Sequence, residues 1–325
     1  VLYVDQRFLP HEVRYERART ADEIAGAIAR LAVRGAPCIG VFGAYGVALL
    51  RQTIADDARF LEAAQRVRAA RPTAVNLGWA VDRVLAAAQP LAEARAIHQE
   101  QIATDAAIAS YSLELIPKGA RVLTHCNTGP LATAGGGTAL GAIIAAQRGG
   151  KKPRVLLTET RPLLQGSRLN SLELKEAGVE AVVMVDSAAA IAMAREGIDL
   201  AIVGADRIAR NGDTANKVGT YALAILAAHH GIPFYVAAPR STFDFAIRSG
   251  AEIPIEERAA EEVASFGGVR VAPQGAQVYN PAFDVTPGHL ITAFVTECGV
   301  IRPPYAESIA DLELRPLVRT APGRR

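Results

Sequence analysis

Aromatic residues are scarce in this chain, at 6 % of 325 positions, although half of all residues are hydrophobic. The apolar surplus is therefore Ala, Val, Leu and Ile, which suits helices packed on a sheet buried on both faces. Cysteine is scarcer still. Cys38, Cys126 and Cys298 are widely spaced and form no CxxC pair. That excludes a disulfide framework and a structural zinc site, and points to a reducing, cytoplasmic compartment. Neither sign of charge is in excess: 35 Lys and Arg face 33 Asp and Glu, a net +2. Nothing in that balance suits a nucleic acid or an anionic membrane surface as partner, and the Arg324-Arg325 pair is too short for a basic tail. No run approaches the roughly 20 apolar residues of a membrane span. The opening VLYVDQRFLP lacks the apolar core of a signal peptide, and a few residues are expected to precede Val1.

What is present divides at Pro117-Lys118-Gly119. Residues 1–117 read as a mainly helical domain and residues 118–325 as a Rossmann-like domain. Thr20-Ala21-Asp22-Glu23 has the form of a capping box. A helix with Ile24, Ile28, Leu31 and Ala32 on one face follows and stops near Gly35, which reads as its C-cap. Pro37 fits the first turn of a second helix. Further helices are expected at 57–70, 76–88 and 91–115. Beyond 118, apolar runs at Val122–Thr124, Val155–Thr158, Ala181–Val185, Leu200–Val203 and Phe234–Ala237 alternate with helical stretches at 138–147, 168–177, 187–195 and 217–229. That alternation predicts βαβ units and a doubly wound parallel sheet. The Pro- and Arg-rich end from about 303 is expected to drape over a neighbour or fray.

In such a sheet ligands bind beyond the carboxyl ends of the strands. Cys126 follows the first apolar run, ahead of a glycine-rich helix start, Ala134-Gly135-Gly136-Gly137-Thr138. Its thiol is placed either as an acid, base or nucleophile or as a small core residue. Cys38 and Cys298 read as core, and His125 as structural. Asp206 follows the fourth run, where desolvation raises a carboxyl towards the range a proton shuttle needs. The competing roles are a salt bridge to Arg207 or a helix cap, and Asp213 is the better-placed cap. Asn216-Lys217 opens the expected 217–229 helix, where a lysine opposes the helix dipole unless an anion sits there. Arg34-Gly35-Ala36 places a cation at another helix start, Arg71 another, and Gln165-Gly166 lies ahead of a third. None of these is a P-loop or a dinucleotide fingerprint.

Taken together, RGAPCIG (34–40), RPTAVNLGWA (71–80), THCNTGPLATAGGGTALG (124–141), TETRPLLQGSRL (158–169), IVGADRIARNGDTANKVGTYALA (202–224), GIPFYVAAPRSTFD (231–244) and YNPAFDVTPGHLITAFVTECGVI (279–301) resemble the methylthioribose-1-phosphate isomerases of methionine salvage. That superfamily also holds ribose-1,5-bisphosphate isomerases and regulatory subunits of the translation-initiation exchange factor. The resemblance implies a helical domain on a Rossmann-like domain, usually a homodimer, and no cofactor or metal. It implies Asp206 as proton donor and Cys126 as a transition-state-stabilising group. It implies substrate contacts from Arg34, Gly35, Ala36, Arg71, Gln165, Asn216 and Lys217. The chain departs from the family pattern at Cys38, Thr128 and Gly136, without losing a functional group.

The implied substrate is a small phosphorylated pentose whose anomeric oxygen carries the phosphate. Hydrogen must then pass from C2 to C1, either through a cis-enediol-type intermediate or as a hydride. Two alternatives stay open: isomerisation of 5-deoxyribose 1-phosphate or ribose 1,5-bisphosphate, and a regulatory subunit that senses a sugar phosphate without catalysis.

Overall fold

The computed structural model describes residues 1–71 and 75–315. The Pro72–Ala74 part of the RPTAVNLGWA segment and the chain beyond 315, with its Arg324-Arg325 pair, lie outside the described residues. Thr20 caps helix α1 (Ala21–Ala29) with the expected box, its hydroxyl accepting from Glu23 N at 3.2 Å. The helix stops sooner than its apolar spacing suggests, and Leu31 turns into left-handed backbone at φ 59°. Gly35 is therefore not a C-cap. It is the N-cap of α2 (Ala36–Thr53), with Pro37 in the first turn. Helices α3 (Asp57–Arg68), α4 (Val75–Ala86) and α5 (Pro90–Ser112) complete the N-terminal part. Ile24, Ile28, Ile39, Phe42 and Leu77 fill its core. A ribbon of two three-residue strands, Leu2–Val4 and Tyr15–Arg17, precedes it, too short to show a period in the sequence.

Seven strands form the central sheet: β1 (Arg121–Thr124), β2 (Arg154–Thr158), β3 (Glu180–Met184), β4 (Leu200–Val203), β5 (Phe234–Ala237), β6 (Ala293–Thr296) and β7 (Gly299–Ile301). Their order is β7-β6-β5-β4-β1-β2-β3. β1 to β6 run parallel, and β7 turns back antiparallel on β6. The five expected runs are β1 to β5. Neighbouring residues serve opposite faces: Leu123 belongs to the core with Phe234 and Phe294, Val122 to the core with Ile143 and Leu157. Helix α6 (Ala139–Arg148) covers one face and α7 (Thr220–His229) the other. α5 serves two cores, with Ala94 and Ile97 in the helical part and Ile108 under the sheet.

The chain steps outward from β1 through β2 to β3, then returns to lay β4 on the other side of β1. Connections from β1 and β4 thus leave in opposite directions, opening a crevice at their carboxyl ends. At the far end of the described chain, α8 (Tyr305–Leu314) buries Ile309 and Leu312, and the Tyr305 hydroxyl donates to Ile291 O at 2.8 Å. The stretch expected to drape or fray from 303 is thus folded as far as 315.

Candidate active site

Cys126 and Asp206 lie on the two sides of that crevice. Cys126, just past β1, has left-handed backbone at φ 59°. Its N–H donates to Thr160 Oγ1 at 3.0 Å, and its carbonyl accepts from Asn170 Nδ2. Burial pushes the thiol up from its usual range, with Arg34 and Lys217 pulling the other way. Burial therefore favours the thiol over the thiolate. Asp206 follows β4, its N–H donating to Ala215 O at 2.9 Å. Burial pushes its carboxyl up as well, against Arg71, Lys217 and Arg34. The competing roles do not hold. Arg207 lies 3.5 Å from Asp244, and Asp213 takes the N–H groups of Gly250 and Gly288, which open two single-turn 3-10 helices, rather than capping α7.

Four cations line the cavity with the pair: Arg34, Arg71, Lys217 and Arg258. Arg34 is buried, and its Nη2 donates to Asn127 Oδ1 at 2.5 Å while its Nε finds no partner among the described residues. Gly35 holds φ 97°, and a Cβ there would stand 2.2 Å from Ala132 O, so only glycine lets α2 approach this closely. The first turn of α2 faces the cavity through Ala36 and Pro37; the N–H groups of Ala36 and Cys38 have no acceptor inside the helix, and Pro37 has none to offer. Arg71 Nε stands 3.9 Å from Glu256. Lys217 corrects the sequence reading. It is not in the first turn of a helix, because α7 starts at Thr220. It ends the strand Thr214–Lys217, which pairs antiparallel with Phe283–Thr286. The helix dipole is therefore not what marks it out; burial is. Its Nζ donates to Ala282 O at 2.7 Å and lies 4.9 Å over the Phe283 ring, and desolvation pushes the ammonium down. Asn216 Nδ2 donates to Thr220 Oγ1 at 2.9 Å, and Gln165 Oε1 is buried without a partner among the described residues.

All nine residues singled out from the sequence line one cavity: Cys126, Asp206, Arg34, Gly35, Ala36, Arg71, Gln165, Asn216 and Lys217. Leu31, Pro37, Leu163 and Phe283 make part of its wall apolar.

The family model of the initiation factor 2 subunit family matches residues 32–303. A methylthioribose-1-phosphate isomerase of Desulforudis audaxviator is 52 % identical, covering 95 % of this chain and 94 % of its own. The chain belongs to the initiation factor 2 subunit family, in its methylthioribose-1-phosphate isomerase branch. Two solved structures agree in fold. The 5-methylthioribose 1-phosphate isomerase of Pyrococcus horikoshii OT3 superposes with a TM-score of 0.85 at 40 % identity, over 96 % of this chain and 92 % of that one. A protein of A. fulgidus described as translation initiation factor eIF-2B, subunit delta, superposes at 0.84 with 42 % identity, over 96 % of both chains.

Within this family member, some cavity residues carried no distinct signal in the sequence. Arg258 looks like one charge among many in IEERAAEE, yet it lines the cavity, held by Glu262 at 2.6 Å and Glu256 at 3.0 Å. Asn127 and Phe283 lie inside family-like segments, and Asn127 was legible only as the neighbour of Cys126. The other cysteines differ from Cys126. Cys38 packs on the helical core, its thiol pushed up by burial to about 11. Cys298 sits in the β6–β7 turn at the edge of a core, its N–H donating to Thr296 Oγ1.

Proposed function

We propose that the protein converts 5-methylthioribose 1-phosphate to 5-methylthioribulose 1-phosphate, an aldose–ketose isomerisation in methionine salvage. One observation carries this reading. A thiol and a carboxyl from either side of the strand switch point share a cavity with Arg34, Arg71 and Lys217. The cations suit a phosphate, and the apolar wall suits a thioether.

The phosphate on the anomeric oxygen blocks simple opening to an aldehyde. Asp206, whose carboxyl burial pushes up so that its acid form lasts to higher pH, gives its proton to the ring oxygen as the bond from C1 to that oxygen breaks. C1 is left electron-poor. The hydrogen of C2 moves to C1, and the C2 hydroxyl returns its proton to the Asp206 carboxylate as the ketone forms. Hydrogen travels either as a proton by way of an enediol, with Cys126 or Asp206 as shuttle, or directly as a hydride. Phosphate contacts hold C1 and C2 in register throughout.

The test is turnover by the purified protein of 5-methylthioribose 1-phosphate, 5-deoxyribose 1-phosphate and ribose 1,5-bisphosphate. Highest kcat/KM on the first supports the reading. Preference for another pentose moves the substrate within the class, and no turnover of any makes the chain a sugar-phosphate sensor. In deuterated water, full retention of the C2 hydrogen at C1 would speak against a solvent-exchanging enediol.

Two further readings go with this one. Val182 and Val183 in edge strand β3, Val185 just past its end, and Ile191 on the helix after it expose apolar surface. That supports a homodimer, which sedimentation would reveal as a doubled mass. Three free cysteines suit the cytoplasm.

A further inference from the structure

Cys126 is not alone in its strained backbone. Thr160, a β-branched residue, holds φ 64°, and its hydroxyl receives the Cys126 N–H. Such conformations persist only where their surroundings impose them. What imposes them can be followed atom by atom. The Val218 carbonyl only accepts, so His125 Nε2, at 3.0 Å, carries the ring proton. The ring is neutral, since burial pushes it down to about 4, and its Nδ1 is a bare acceptor. Thr158 Oγ1, 2.6 Å away, therefore donates to Nδ1. The Thr158 oxygen is then free to accept from the Thr160 hydroxyl, which lies 3.3 Å from it and 3.4 Å from the Thr158 carbonyl. The Thr160 oxygen in turn accepts from Cys126 N at 3.0 Å. From Val218 to Cys126 the chain has one consistent polarity.

The three side chains are fully buried behind the cavity and do not line it. Gly219 packs on the imidazole so closely that a Cβ would lie 3.1 Å from His125 Cε1. From the far side, the Asp186 carboxylate takes the N–H groups of Thr160 at 2.8 Å and Arg161 at 2.7 Å.

We propose that His125, Thr158 and Thr160 are positioning residues. They tie the main chain beside Lys217 to the peptide of Cys126 and hold the thiol in its left-handed pose. The proposal rests on the reading that Cys126 serves the isomerisation.

Thr160→Ala removes the hydroxyl and eases the strain of the branched side chain, and Thr160→Ser keeps the hydroxyl. The expected result for Thr160→Ala is a kcat about 100-fold lower with KM within about threefold, the scale on which a reacting group misplaced by about 1 Å is felt. The rate of Cys126 alkylation by iodoacetamide, read on its own peptide by mass spectrometry, changes with it. Thr160→Ser restores both. Should Thr160→Ala fail to fold, the near-isosteric Thr158→Val breaks the chain one link further on and carries the same expectation. Folded variants with lowered Tm but unchanged kcat and alkylation rate overturn the proposal. A fully active Cys126→Ser enzyme would overturn the reading of Cys126 instead, and the alkylation rate would then decide the relay by itself.

Discussion

Arg34 grips Asn127 twice, at 2.5 Å through the side-chain oxygen and at 3.2 Å through the main-chain oxygen. The Asn127 amide is fixed in turn by Asn170 at 2.9 Å and by Glu173. The guanidinium is thus aimed before any substrate arrives, while its Nε stays buried and unpaired among the described residues. Leaving a buried donor unmet costs about 1–3 kcal/mol, and a bound phosphate would offset that cost.

Arg34→Lys should therefore act on binding. An ammonium cannot hold Asn127 and present a second donor in one plane. KM is expected to rise about tenfold or more with a smaller change in kcat, because a planar fork is replaced by a point charge. Steady-state kinetics would show it, and an unchanged KM would remove Arg34 from the phosphate site.

Asp206→Asn should abolish turnover and leave substrate affinity near that of the parent, measurable by calorimetry. The pH profile carries the same information. The carboxyl is pushed above the ordinary 3.8, so the acid form lasts to higher pH. Activity that needs this proton is present below the folded pKa and falls as pH rises through it. Near-normal turnover by the Asp206→Asn enzyme would end the assignment.

Lys217→Met keeps the stem over Phe283 and deletes the charge. KM is expected to rise about tenfold or more while kcat moves little, as for the loss of a charge-assisted contact. Desolvation holds the ammonium below its ordinary 10.5, so in the parent enzyme KM should climb on the alkaline side before that pH. A flat alkaline KM would contradict it.

Glu173 gives a prediction about stability. Burial raises its carboxyl to about 7 from 4.5, despite hydrogen bonds from Leu131 N and Asn127. Between those two values the folded chain holds a proton that the unfolded chain has released. Stability should therefore fall as pH rises across that window, by at most about 3 kcal/mol. Denaturant unfolding at pH 5 and pH 8 would measure the slope, and Glu173→Gln should remove the share that Glu173 contributes, leaving those of Asp284, raised to about 6, and His125, lowered to about 4.

The parts of this molecule that could be read from its sequence are those governed by local pattern. β1 to β5 are apolar runs, and β1 and β4 close on polar loops holding Gly129 and Gly204, so the strand ends bearing Cys126 and Asp206 stood out. Lys217 was misplaced because Thr214–Lys217 is polar and its partner, Phe283–Thr286, lies far along the chain. No local period reports such a pairing. β6 and β7 both fall within HLITAFVTECGVI, where only Glu297 and Cys298 separate the two strands. Arg258 was hidden for another reason. Its neighbours are charged, and only burial against Glu256 and Glu262 separates it from a solvated arginine.

Helix α5, which places Ala94 and Ile97 in one core and Ile108 in another, makes the two halves mechanically inseparable. A cut at Pro117 would strip an apolar side chain from beneath the sheet and leave the helical part with an unpaired oily face at its end. Neither fragment would be a clean expression product. The intact chain should melt in one transition, because neither half can loosen without releasing the strut they share.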